Sequence, residues 1–180
     1  MNTAPTPTLQ RLNSVDEADF VAALDGIVEH APWVAARIVD QRPFDSMAAL
    51  HAALVGAIRQ APAQLLLALL NGHPELAGQE AAAGTLTTAS NGEQRRLGLL
   101  ELSREQHRHL GALNAAYRQR FGFPYIVALR LHEALDSVLA DLRQRLTRDT
   151  LAEMDTALGQ VAEVMRGRLK RLAEADAHQP

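Results

Sequence analysis

Residues 62–75 read PAQLLLALLNGHPE, and this stretch says more about the fold class than any other. Proline is favoured in the first turn of a helix, and the run Leu65–Leu70 that follows it is apolar throughout. Asn71-Gly72 is a typical helix stop. The stretch therefore predicts a helix that is apolar on every side and hence central in the fold. His73 and Pro74 lie where the chain leaves it.

The chain before this stretch contains further helical signals. Ser14 and Glu17 have the spacing of a capping box, and the apolar residues after them recur at helical intervals. Pro32 favours the first turn of a short helix through Val39, and another apolar stripe follows between residues 47 and 58. Residues 1–10 show no periodic pattern, so we expect them to form a flexible lead.

The chain after this stretch begins with an irregular segment, residues 72–92, which contains four scattered glycines. A loop of this length is unusual in a compact domain, and it suggests a glycine-rich active-site loop. Two capping boxes follow, Ser90 with Glu93 and Ser103 with Gln106. Apolar stripes then predict a long helix that carries Leu110 to Phe121 and two more helices at 133–146 and 148–174.

These elements predict the fold class, because alternating strand patterns do not occur anywhere between them. The class is all-α, with about eight helices in a bundle. A length of 180 residues suits one domain, which we place at residues 11–175 before a short tail at 176–180.

The composition excludes several classes of function. The chain has no cysteine, which excludes disulfides and thiolate chemistry, and its formal net charge of −3 gives no basis for binding nucleic acid. No apolar run is long enough to cross a membrane, and the first residues lack the pattern of a signal peptide, so we expect a cytoplasmic protein. No residues have the spacing of metal ligands, and there is no glycine loop for a phosphate.

His73 permits two interpretations. A histidine just after a helix is favoured by the helix dipole, and a proline after it is a common helix stop. Histidine is also the side chain that titrates nearest neutral pH, which suits a general acid or base.

Two other clusters also permit two interpretations each. Ser90, Glu93 and Gln94 are either the start of a helix or a set of polar groups that hold a heterocyclic ligand at a helix N-terminus. The aromatic residues between Tyr117 and Tyr125, among them Phe123, are either core or a flat wall for a planar ligand, with Arg130 placed to reach a carboxylate.

Taken together, segments along nearly the whole chain resemble the decarboxylase family that acts on 2-oxo-4-hydroxy-4-carboxy-5-ureidoimidazoline (OHCU) in urate degradation. The matching segments are Glu29-His30-Ala31-Pro32-Trp33, Arg42-Pro43-Phe44, His73-Pro74-Glu75-Leu76-Ala77, Ser90-x-x-Glu93-Gln94, Leu113-Asn114-x-x-Tyr117 and Arg120-Phe121-Gly122-Phe123-Pro124-Tyr125. Their order and spacing make the set specific. Tyr125 stands where the family usually has phenylalanine.

The resemblance implies a cofactor-independent carboxy-lyase that produces (S)-allantoin and assembles as a homodimer. It implies two catalytic residues, His73 and Glu93, and no metal. The substrate-binding residues that it implies are Pro74, Ser90, Gln94, Phe123 and Arg130. Two alternatives stay open at this point, namely a non-catalytic all-α interaction module and a lyase that acts on a related ureido acid.

Overall fold

The structure is a computed structural model, and it describes residues 6–177. Within these residues the chain forms ten α-helices and two 3-10 helices, with no β-strand. The α-helices are α1 Pro7–Ser14, α2 Glu17–Ala23, α3 Trp33–Ala36, α4 Met47–Arg59, α5 Ala63–Asn71, α6 Gln79–Ala83, α7 Thr88–Arg96, α8 Arg104–Phe121, α9 Leu135–Arg145 and α10 Thr150–Ala177. The 3-10 helices are Val39–Gln41 and Leu129–Leu131. The predicted all-α class is confirmed, and eight of the ten α-helices have seven or more residues.

The chain divides into two compact units. One comprises the chain up to Leu66 together with the segment from Met165 onward, and the other comprises Leu67–Val164. Every residue that the sequence proposes for the site lies in the second unit.

The first unit is held together by polar contacts that the sequence did not reveal. The Asn13 side chain pairs with the backbone of Phe44 through two hydrogen bonds of 2.9 Å, and the Arg42 guanidinium donates to the carbonyl of Val15 at 2.6 Å. Arg168 forms an ion pair with Glu29, and both side chains are at least 95% buried. A buried pair of this kind leaves neither charge uncompensated.

Two of the three predicted capping boxes are wrong, because a different residue caps each of these helices. Asp16 caps α2 and Thr87 caps α7, where Ser14 and Ser90 were expected to do so. Aspartate and threonine are also good capping residues, and here each directly precedes its helix. Ser14 is instead the last residue of α1, and Ser90 lies inside α7. The third prediction is confirmed, because Ser103 and Gln106 form a complete capping box at the start of α8.

The long glycine-rich loop expected at residues 72–92 is not present. Two helices, α6 and α7, occupy much of it, and Gly92 lies inside α7. Gly84 is the C-cap of α6, with φ of 69° in the left-handed region that glycine adopts easily. Gly72, Gly78 and Gly84 therefore lie at the ends of helices, Gly92 lies inside one, and the four do not make one continuous loop.

The apolar helix α5 is not central. Leu69 and Leu70 are buried, but Leu67 is 40% exposed and Leu65 and Leu66 are half-buried. The prediction failed because an apolar run does not determine how many neighbours enclose a helix. Gln64 and Asn71 of α5 are polar and exposed.

The termini also depart from the sequence prediction. Pro7–Gln10 belong to α1, where Leu9 is buried, so the flexible lead is wrong there. Helix α10 extends through Ala177, so the tail does not begin at 176. Residues 1–5 and 178–180, which include the rest of the predicted lead and tail, lie outside the described residues.

None of the described helices is by itself long and apolar enough to cross a membrane. Only α4 and α5 taken together, with a sharp bend between them, reach that length and composition.

Candidate active site

His73 lies just beyond the end of α5 and is 7% exposed. Its ring folds back on the helix, and Nδ1 lies 2.9 Å from the carbonyl oxygen of Leu69. A carbonyl only accepts hydrogen bonds, so Nδ1 carries the hydrogen and, in the neutral ring, Nε2 holds the lone pair. This contact is one that the helix-end interpretation predicts. The same contact determines that Nε2 is the basic nitrogen of the neutral ring.

The segment after His73 is a tight, buried turn. Ala77 has a φ of 49°, which is unusual for a residue with a side chain. A Cβ at Gly78 would lie 2.6 Å from the Cβ of Glu75, so only glycine fits there. Pro74, the proposed substrate contact, is half-buried at the start of this turn.

Two buried amide side chains hold this turn in place. Gln94, on α7, accepts a hydrogen bond from the backbone nitrogen of Ala77 at 2.8 Å. Asn114, on α8, donates to the carbonyl of Leu76 at 3.0 Å. Because both amides sit on helices, the position of the turn is fixed relative to α7 and α8.

The polar cluster at 90–94 lies in the middle of α7. Ser90 is 5% exposed and Gln94 is 2% exposed, while Glu93 is half-buried. Residues three and four positions apart share a helix face, so Ser90, Glu93 and Gln94 lie on the face that contacts the turn after His73. The structure thus joins the two clusters that the sequence analysis treated separately.

The aromatic cluster is core. The rings of Phe121, Phe123 and Tyr125 surround Tyr117 at centroid distances of 4.7, 5.9 and 5.4 Å. Phe123 has no exposed surface, so its ring does not form the ligand wall that was one of the two interpretations. Tilted and edge-on packing of this kind is the usual arrangement of buried aromatic rings.

Arg130 lies on the 3-10 helix after the aromatic segment and is exposed. Its Nε donates to the carbonyl of Glu163 at 3.2 Å, and its Nη2 forms an ion pair with the carboxylate of the same residue. Its guanidinium therefore contacts α10. A substrate contact of Arg130 stays a prediction, and it requires the ligand to compete with Glu163.

The sequence analysis missed a buried ionic network. Arg145 on α9 is 1% exposed and pairs at 2.6 Å with Glu153 on α10, which has no exposed surface, and the hydroxyl of Tyr117 donates to the same carboxylate. Burial lowers the pKa of Arg145, but the hydrogen bond and the charge of Glu153 outweigh it, so the pKa is raised. For Tyr117 burial acts in the opposite direction and raises the pKa of the hydroxyl, while the charge of Arg145 lowers it.

A signal for Glu153 was present in the spacing of α10. Its fully buried face runs through Glu153, Ala157, Val161 and Met165, at intervals of four residues. Leu151, the second residue of α10, is by contrast 82% exposed. A glutamate that shares a helix face with apolar residues is expected to be buried and to need a cationic partner, and this signal could have identified Glu153.

Among the described residues, no group of three or more histidine, aspartate or glutamate side chains could hold a metal ion. The chemistry available at the site is thus that of one oriented imidazole, one half-buried carboxylate, and the hydroxyl and amide groups beside them. Such a set suits proton transfer and hydrogen bonding to a small polar ligand.

Comparison with known proteins agrees with this picture. The profile of the OHCU decarboxylase family matches residues 13–170. The 2-oxo-4-hydroxy-4-carboxy-5-ureidoimidazoline decarboxylase of Mus musculus is 38% identical over 168 residues, which cover 93% of this chain and 94% of the mouse protein. The decarboxylase of the same name from Haloferax volcanii is 38% identical over 162 residues, covering 90% of this chain and 94% of the relative.

Solved structures show the same fold. A crystal structure of (S)-allantoin synthase superposes with a TM-score of 0.72 at 27% identity, covering 91% of this chain. This chain spans about half of that protein, 53% of its length. A crystal structure of OHCU decarboxylase in the presence of (S)-allantoin has a TM-score of 0.63 at 18% identity and covers 79% of this chain and 91% of that one, which shows the fold alone. From the profile match and the identity over nearly the full length, the chain belongs to the OHCU decarboxylase family.

Proposed function

We propose that this protein decarboxylates OHCU and releases (S)-allantoin. The observation that carries the proposal is the His73 ring, buried at the end of α5 with its tautomer set by the carbonyl of Leu69. Membership in the decarboxylase family supplies the substrate class.

The substrate needs little from the protein beyond orientation and proton transfer. One ring carbon bears both the hydroxyl and the carboxylate, and its neighbour is an electron-poor C=N carbon that bears the ureido group. When the bond to the carboxylate breaks, CO₂ leaves and the electron pair forms a double bond to the neighbouring carbon, while the C=N nitrogen takes the displaced pair and a proton. The hydroxyl proton is then lost and the ureido carbon gains a proton, which yields allantoin with a net uptake of one proton.

His73 is suited to bind the hydroxyl group of the substrate and to accept its proton. With Nδ1 donating to Leu69, the ring accepts at Nε2 and can orient or deprotonate the hydroxyl group. A single side chain acting as general acid or base typically contributes about 10²–10⁴ in rate. Positioning of the substrate then supplies much of the rest.

The remaining proposed residues bind and orient the substrate. Glu93 accepts hydrogen bonds from the ring or ureido N–H groups of the substrate and takes part in proton transfer. Ser90 and the amide of Gln94 bind the ureido and carbonyl groups. The oxygen of Gln94 already accepts from Ala77, so its amide nitrogen is the group assigned to the ligand. Pro74 borders the site beside His73.

Circular dichroism tests the proposal, because OHCU decays spontaneously to racemic allantoin. Freshly generated OHCU incubated with the protein should give an early dichroic signal of (S)-allantoin. A non-catalytic module would leave the racemic decay unchanged. A lyase for another ureido acid would do the same with OHCU, but it would consume its own substrate.

We also propose a homodimer and a cytoplasmic location. The family resemblance of the sequence implies the dimer, and the apolar side chains of Leu131 and Leu151, 54% and 82% exposed, are available to an interface. Light scattering of the purified protein measures the mass directly: a value of two chains supports the dimer, and a value of one chain excludes it.

A further inference from the structure

Arg118 contacts the chain on both sides of His73. It lies in the last turn of α8, where its Nε donates to the carboxylate of Glu75 at 3.0 Å and its Nη1 donates to the side-chain oxygen of Asn71 at 3.2 Å. Asn71 precedes His73 by two positions and Glu75 follows it by two. One guanidinium therefore spans the five-residue segment that has His73 at its centre.

The same contacts continue to the end of α8. The amide nitrogen of Asn71 donates to the carbonyl of Gly122 at 3.2 Å and to that of Leu67 at 3.1 Å. Gly122 is the C-cap of α8, with a φ of 81°. Asn71 is thus held both by its own helix, α5, and by the end of α8.

These contacts complement the two buried amides. Gln94 and Asn114 hold the backbone at Ala77 and Leu76, which lie beyond Glu75. Arg118 and Asn71 hold the part of the segment that contains His73. The described contacts therefore reach the segment on both sides of His73.

The exposure of these groups argues against a role in stability alone. The side chain of Arg118 is 45% exposed and that of Glu75 is 26% exposed. Exposed ion pairs contribute little to the free energy of unfolding. A planar guanidinium, however, can direct hydrogen bonds to two acceptors at once, which the single ammonium of lysine does poorly.

We propose that Arg118 is a positioning residue for His73. Through Asn71 and Glu75 it sets the distance between α8 and the ring, and so keeps Nδ1 against the carbonyl of Leu69. Its effect on turnover rests on the proposed function, but its effect on the ring of His73 does not.

Kinetics of Arg118→Met, which keeps the apolar part of the side chain, test the effect on turnover. We expect kcat to fall about tenfold to 100-fold with KM changed less than about twofold, because small misplacements of a reacting group act on the chemical step. Arg118→Lys restores the charge at the helix end but not the two-directional contact, so its kcat should stay below that of the native protein. Arg108→Met, on the exposed part of the same helix, is the matched control and should retain native kinetics.

Nitrogen-15 NMR of the histidine rings tests the proposal without any substrate. In the native protein Nδ1 of His73 should be the protonated nitrogen. In Arg118→Met the signal should shift towards that of the Nε2–H tautomer, which predominates for a free histidine side chain in water. His73→Asn identifies the resonance. An unchanged His73 resonance in Arg118→Met would overturn the proposal even if kcat fell, and so would a native kcat in an active enzyme. If the native protein did not act on OHCU, the proposed function would fail and the NMR result alone would decide the role of Arg118.

Discussion

The side-chain oxygen of Gln94 lies 2.8 Å from the backbone nitrogen of Ala77 and accepts its hydrogen bond, across 17 positions of sequence. Both residues are at most 9% exposed. This bond connects the helix of Ser90 and Glu93 with the turn that follows His73. The two halves of the candidate site are therefore parts of one packed structure.

Removing this acceptor should destabilise the protein. In Gln94→Met the buried N–H of Ala77 loses its partner, and the free energy of unfolding should fall by about 1–3 kcal/mol in urea denaturation. Gln79→Met, at the exposed first residue of α6, is the control and should change it by less than about 0.5 kcal/mol. Equal losses in the two variants would show that the bond to Ala77 contributes nothing specific.

Glu93→Gln should separate chemistry from folding. Glutamine has nearly the same shape and helix propensity as glutamate, so stability should stay within about 1 kcal/mol. If Glu93 takes part in proton transfer, turnover of OHCU should fall about 100-fold or more. Glu101→Gln, at an exposed position after α7, should keep native turnover. Native turnover of Glu93→Gln would exclude the catalytic role.

The stability of the protein should fall at high pH because of its two tyrosines. Burial is the largest cause that raises the pKa of both Tyr117 and Tyr125 above the ordinary value of 10.0. Above about pH 10 the unfolded chain loses these protons while the folded chain keeps them, so the folded state binds more protons and stability decreases as pH rises. Each tyrosine adds about 1.4 kcal/mol per pH unit to this decline.

Tyr125→Phe provides the control for this slope. The variant retains one of the two groups, so the tyrosine contribution to the decline of unfolding free energy with pH should be about halved. Tyrosinate absorbance of the folded native protein should stay low until the protein unfolds. Free titration of both tyrosines near pH 10 in the folded protein would contradict the burial argument.

Arg145→Met should lower the free energy of unfolding far more than the loss of an exposed charge does. It leaves the carboxylate of Glu153 buried without its closest cation, and removal of one partner from a buried pair typically costs about 3–5 kcal/mol. Lys170→Met, which removes an exposed pair with Glu174, should change the free energy of unfolding by less than about 1 kcal/mol. Thermal denaturation of both variants measures the difference, and similar melting temperatures would refute it.

The sequence predicted the positions of helices better than it predicted which side chains are buried against neighbouring helices. Helices α8, α9 and α10 match the predicted segments closely, because periodic apolar residues and the Ser103 capping box are local signals. The start of α7 was misplaced because Thr87 and Ser90 are both capable caps and only the packed structure selects between them. The exposure of Leu67 and of Leu151 depends on neighbouring helices, which no local pattern reports.

In the candidate site, too, local signals were predictable from the sequence and long-range contacts were not. His73 and Gln94 were proposed from the order of their segments along the chain, and the structure brings these segments together. Phe123 was placed correctly in an aromatic cluster, but whether that cluster faced a ligand or the core depended on burial. The contacts of Arg118 and Arg145 were missed because a charged residue on a helix is usually solvated, and only a long-range partner distinguishes the exceptions.

The most direct measurement is the initial rate of (S)-allantoin formation by His73→Asn, followed by circular dichroism beside the native protein and His107→Asn, which replaces an exposed histidine of α8. With native-like folding of all three, we expect a single-signed early signal from the native protein and from His107→Asn. The rate of His73→Asn should be lower by about 10²–10⁴. A native rate from His73→Asn would show that this histidine only ends α5, and would contradict its assignment as the catalytic residue.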